Sequence, residues 1–216
     1  MSIFLRLFGK KSSEFSAENE ELQKIKWNIY DFFLKGQDCY IQGQDEEALQ
    51  FFDKAFEHKF LDHFSTKAAD IYEMRAGSLQ KLDYHYDAIK DFDKSISLLP
   101  NDCNKYFSRS ISKGAILDFD GQIVDLETAI ELSKIDNSLN KEYNDEAHKQ
   151  EYRNGVVGMF EPQVIRAKMN QDQERSLKDR IKSATSSEQQ QFRQDEYDKN
   201  RTKRLGRIKK RTSSNN

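Results

Sequence analysis

Gly43-Gln-Asp-Glu-Glu-Ala48-Leu-Gln-Phe-Phe52-Asp-Lys-Ala55 and Asp83-Tyr-His-Tyr-Asp-Ala88-Ile-Lys-Asp-Phe92-Asp-Lys-Ser95 align residue for residue, and Gln122-Ile-Val-Asp-Leu126-Glu-Thr-Ala129 follows the same plan. A small residue, a ring or leucine four places on, and a second small residue three places further share one face of a helix. The small residues let a neighbouring helix approach, and the ring fills the space beside it. Gln122 lies 34 residues after Ala88, whereas Ala88 lies 40 after Ala48, so six extra residues, about His63 to Ala68, separate the first two copies.

Each copy is preceded by a second helical pattern. Phe32 with Gly36, Tyr72 with Ala76, and Tyr106 with Ser110 again set a ring and a small residue four apart. Each copy is therefore a helical hairpin, and the chain is all-α. An ordinary helical bundle has no need of a 34-residue period.

These positions resemble the tetratricopeptide repeat, with Pro100 at the closing-proline place of the second copy. The resemblance covers about half the chain and implies an α-solenoid of at least three hairpins with flanking helices. Gln122 stands where the family has alanine, and Phe60 where it has proline.

The rest of the chain fits one domain with extensions. The 216 residues are 36% hydrophobic and 33% charged, with only two prolines to interrupt helices. Residues 1–15 read as an amphipathic or disordered leader, 16–160 as the repeat domain, 161–184 as an additional helix, and 185–216 as a charged tail, disordered or a solvated fraying helix. Ser16 is placed to cap the first long helix. Tyr143 to Phe160 reads as one helix shielding the end of the repeats, with Tyr152, Val156 and Phe160 buried, and Pro162 as the start of the next.

Lys199 to Arg211 carries eight basic residues and no acid, within a chain of net charge −2. This run lacks the interleaved aromatics of a base-stacking surface, so nucleic acid is not an expected partner. Cys39 and Cys103 suit neither a disulfide framework nor a metal cluster, which points to a reducing, cytoplasmic setting. No apolar run is long enough to span a membrane.

Little in the sequence points to catalysis. Gly9-Lys10-Lys11-Ser12 lacks the upstream glycine and strand of a phosphate loop. His58 and His63 with Glu57 and Asp62 do not share a helical face, so they read as surface residues rather than metal ligands. The expectation is a non-enzymatic protein without cofactor or metal.

The resemblance implies an adaptor that holds a partner segment in the concave groove of the first helices. Carried onto this sequence, the groove positions are Tyr30, Phe33, Gln37 and Tyr40, then Asp70, Glu73 and Gln80, then Asn104, Phe107 and Ile111. Rings at both ends and acids in the middle suit a protein or peptide with apolar and basic character. The carboxylate-clamp places of one subclass hold Phe33, Gln37, Met74, Asn104 and Ser108, so the clamp is missing, although Lys105 and Arg109 lie one residue away. Ile3-Phe4-Leu5-Arg6-Leu7-Phe8 has the chemistry of such a partner and is a candidate for self-occupation. The alternative is a scaffold tethered peripherally to an anionic membrane surface through its basic termini.

Overall fold

Four turns of the chain close in the same way, and they set the architecture. The Gln44, Tyr84, Asp118 and Tyr152 amides donate to the carbonyls of Cys39, Leu79, Lys113 and Ala147 at 2.8, 2.8, 2.9 and 3.1 Å. In each turn the preceding residue is left-handed: Gly43 (φ 74°), Asp83 (67°), Leu117 (65°) and Glu151 (69°). This paired bonding caps the carbonyl end of one helix and reverses the chain into the next. Asp83, Leu117 and Glu151 are spaced 34 residues apart, so the repeat continues into a fourth copy.

The computed structural model describes residues 12–57, 65–135 and 138–211. Its contacts divide the chain into two compact units, Met1–Ser65 and Thr66–Asn216. The boundary falls within the six-residue insertion. His58, Phe60, Asp62, His63 and the leader through Lys11 lie outside the described residues.

The first unit holds one hairpin, α1 (Ser12–Ile41) and α2 (Asp45–Phe56). Helix α1 starts earlier than the Ser16 cap implies. Ser16 is its fifth residue, because Ser12 to Ser16 contain no helix breaker to hold the start back.

The second unit runs through α3 (Ser65–Lys81), α4 (His85–Leu98), α5 (Cys103–Ala115), α6 (Phe119–Ser133), α7 (Ser138–Lys149), α8 (Gly155–Lys182) and α9 (Ser187–Leu205). All regular structure among the described residues is helical. The repeat positions are buried in each unit, Ala48, Phe52 and Ala55 in the first and Ala88, Phe92, Ser95, Leu126 and Ala129 in the second, all at most 1% exposed. Each fully buried ring or leucine of this kind contributes about 1.5–3 kcal/mol before ordering costs. Where Gln122 replaces the small residue, Gly114 on the facing α5 supplies the space, and a Cβ there would sit 2.6 Å from the Gln122 amide.

The fourth hairpin overturns the single capping helix expected over 143–160. Helix α7 ends at Lys149 and α8 begins at Gly155, so Tyr152 lies in the turn and is exposed, while Val156 and Phe160 are buried. Its first helix lacks the ring and small residue of the other copies. Asn140 and Asn144 occupy those places and bond instead of pack. Asn140 Nδ2 donates to the Leu132 and Ile135 carbonyls, and Asn144 Oδ1 accepts from the Val156 amide at 3.0 Å. Gly155, at φ 57°, is required there, since a Cβ would lie 2.1 Å from Asn144 Oδ1.

Pro162 does not start a helix but lies inside α8. It removes a single amide donor, and buried Val164 and Ala167 pack against Ile123 and Leu126 to carry the helix onward. Helix α9 has no buried residue and pairs with α8 through Glu174, which accepts from Tyr197 Oη at 2.6 Å and from Arg201 at 2.9 Å.

Candidate interaction surfaces

Helix α1 presents two neighbouring faces, one buried and one exposed. Ile29, Phe33 and Gly36 are buried on one, while Trp27, Tyr30, Leu34 and Ile41 are 68, 40, 39 and 73% exposed on the other. The steps of three, four and seven residues align the exposed four along one stripe. Trp27 meets Tyr30 edge-on at 6.2 Å, and Tyr30 stacks on Phe33 at 6.5 Å. Exposed Asp31 and Asp38 flank the stripe. The proposed groove residues of this helix are thus divided: Tyr30 lies on the outer stripe, Phe33 in the buried face, and Gln37 and Tyr40 are half-buried. Trp27, Leu34 and Ile41 were missed, although their heptad spacing was present in the sequence.

In the second unit, three of the six proposed groove residues, Glu73, Gln80 and Asn104, bond between first helices. Glu73 of α3 accepts from Asn104 Nδ2 at 3.1 Å and from the ammonium of Lys105, both on α5. Gln80 donates to the Ser108 carbonyl at 2.9 Å and to Ser112 Oγ at 2.7 Å. Phe107 stacks on Phe160 of α8 at 4.5 Å, within the core. Asp70 lies 3.5 Å from Lys67, and Ile111 is 44% exposed.

Lys105 and Arg109 both turn into the protein. Lys105 is 1% exposed and also pairs with Asp102 at 3.3 Å. Burial raises the Glu73 carboxyl above its usual range, against the lowering effect of Lys105. Burial, with the nearby Asp102 and Glu73 charges, likewise raises the Tyr143 hydroxyl. Arg109 pairs with Asp125 and with Asp93. Burial alone would lower the Arg109 pKa, but its bonds to those carboxylates raise it. Both cations are therefore engaged by carboxylates of this chain.

A further surface lies at the turn edge of hairpins two and three. After α9, the Lys209 amide donates to the Asp83 carbonyl at 2.8 Å, and the Arg211 amide donates to Asp87 Oδ2 at 3.3 Å. The Lys209 ammonium stands 5.5 Å from the Tyr84 ring and Lys210 5.8 Å from Tyr86, while Arg204 stands 5.9 Å from Phe119. The stretch expected to be disordered or a solvated helix is thus helical over α9, with the following residues laid against the turn. Among the described residues, no cluster of three His, Cys, Asp or Glu side chains is placed to hold a metal, and no helix is long and apolar enough to cross a membrane.

No family model matches the sequence, and no curated protein matches it. Among solved structures, the Arabidopsis OM64 tetratricopeptide domain is 19% identical, covering 52% of this chain and 88% of that one at a TM-score of 0.44. The TPR2B domain of yeast Sti1, solved as a pHsp70 complex, is 18% identical over 66% of this chain and 98% of its own, at 0.49. MamA is 15% identical over 82% of this chain and 98% of its own, at 0.46. The likeness is one of fold, and by the geometry of its own turns and buried positions this chain is built of tetratricopeptide-type hairpins.

Proposed function

We propose that this protein is an interaction adaptor whose first hairpin receives a partner segment on the outer stripe of α1. The exposure of Trp27, Tyr30, Leu34 and Ile41 along one helix face carries this reading. A stripe of this kind buries aliphatic or aromatic anchors, and the flanking Asp38, beside Asp31 paired with Lys35 at 2.7 Å, favours a partner with Lys or Arg near those anchors. Of the groove residues, Tyr30 and Gln37 line the surface, and Phe33 supports Tyr30 from beneath. In the second unit, Ile111 is the position from the same set that is exposed, and Asp70, Glu73, Gln80, Asn104 and Phe107 are half-buried.

Trp27 is the only tryptophan in the chain, so its fluorescence reports directly on occupation of the stripe. Affinity capture with the full chain is expected to recover a partner that shifts Trp27 emission on rebinding. Tyr30→Ala with Leu34→Ala is expected to weaken that capture roughly tenfold or more at unchanged helicity. Normal capture by the double variant, or a partner that leaves Trp27 emission unmoved, would place the site elsewhere.

A further inference from the structure

The turn edge of hairpins two and three combines the rings of Tyr84 and Tyr86, the buried ring of Phe119 beneath Arg204, the Asp83 carbonyl and the Asp87 carboxylate, whose other oxygen accepts from Lys90 at 2.9 Å. Each is met by a group from residues 204–211: Tyr84 by Lys209, Tyr86 by Lys210, Phe119 by Arg204, the Asp83 carbonyl by the Lys209 amide, and Asp87 by the Arg211 amide. The two kinds of contact are complementary. Amide bonds at alternate residues, Lys209 to a carbonyl and Arg211 to a carboxylate, fix the non-helical residues 208–211 in register, and cations over rings select the side chains.

This segment is held by little apolar burial. Lys209, Lys210 and Arg211 are exposed, and only Leu205 and Ile208 are half-buried. Contacts of this strength persist because the segment is tethered through α9, which keeps its local concentration high. A free segment of the same chemistry competes on equal contacts and is disfavoured only by the tether.

We propose that the edge formed by Asp83, Tyr84, Tyr86, Asp87 and Phe119 is a docking site for a lysine- and arginine-rich protein segment, occupied in this chain by its own residues 208–211 together with Arg204 from the last turn of α9. The site is distinct from the α1 stripe and does not depend on it. It admits a second, basic partner when the terminal segment is displaced, so partner binding there and release of the segment are one event.

The test uses the full chain and a labelled peptide of the sequence Lys203 to Arg211. A chain carrying Lys209→Ser, Lys210→Ser and Arg211→Ser is expected to bind this peptide roughly tenfold more tightly than the wild type, since its internal competitor is weakened. Adding Tyr86→Ala and Asp87→Asn to that chain is expected to abolish the gain. Binding is expected to fall steeply as salt rises. In the wild type, the Lys209 amide is expected to be protected from hydrogen exchange, and excess peptide is expected to remove the protection. Equal peptide binding by the wild type and the serine variant, binding that survives the edge substitutions, or an unprotected Lys209 amide would each overturn the proposal.

Discussion

Arg109 of α5 grips Asp125 of α6 through both carboxylate oxygens, Nε 2.8 Å from Oδ2 and Nη2 2.6 Å from Oδ1. One repeat earlier, Arg75 grips Asp91 in the same way at 2.6 and 2.7 Å. Both aspartates follow their arginine by 16 residues, and the two pairs are 34 apart. A planar guanidinium matches a carboxylate edge to edge, so the pair fixes how the two helices of a hairpin lie against each other.

Asp125 is 1% exposed and also holds Lys113 at 2.9 Å. Asp125→Ala is expected to leave two half-buried cations short of a partner, Lys113 and Arg109, the latter keeping Asp93, and to cost about 3 kcal/mol. Chemical denaturation followed by circular dichroism measures this. A loss below about 1 kcal/mol would mean that water reaches both cations in the native state.

Glu151 is exposed and left-handed, at a position that needs no side chain. Glu151→Gly is expected to stabilise the protein by about 1 kcal/mol, the left-handed penalty less the entropy glycine loses on folding. Leu117→Gly is expected to gain less, because Leu117 is half-buried beside Tyr197 and Arg201. Melting temperatures of the two variants compare them directly. A destabilised Glu151→Gly would show that the glutamate side chain supports the fourth turn.

His85 is buried, and its Nδ1 lies 3.2 Å from Ser112 Oγ. Burial lowers its pKa below the ordinary 6.5, against the opposing pull of Asp83. As pH falls below 6.5, the unfolded chain takes up a proton before the folded one does, so stability present above that value is lost on acidification. His85→Gln is expected to flatten the drop in denaturation midpoint between about pH 7 and 5.5, before most carboxylates titrate. An unchanged pH profile would mean that the ring takes up its proton as readily in the fold as in the unfolded chain.

Burial pushes the Cys103 thiol up to about 12, whereas Cys39 is only partly covered. A thiol reagent is expected to modify Cys39 alone in the native protein and both cysteines after denaturation. Rapid native modification of Cys103 would show that α5 opens locally on the timescale of the reaction.

The sequence by itself determined the hairpins, because their packing is local and periodic. Small residues and rings recur where consecutive helices touch, and a 34-residue spacing records each contact. The arginine–aspartate pairs leave the same spacing, Arg75 and Arg109 with Asp91 and Asp125, but in the sequence Arg109 stood only beside a clamp place, and its pairing emerged from the structure. The fourth hairpin was half legible: Val156 and Phe160 repeat Gln122 and Leu126 in register, but Asn140 and Asn144 replace packing with hydrogen bonds and erase the pattern of its first helix. Tertiary structure alone decided which proposed groove residues reach the surface. Periodicity places Phe107 on a face but does not show that Phe160 covers it, and it places Glu73 beside Asn104 without showing that Lys105 is drawn in as well. It was equally silent on the terminal segment. Arg211 and Asp87 are 124 residues apart, and their contact depends on where α9 ends in space, which no repeat encodes.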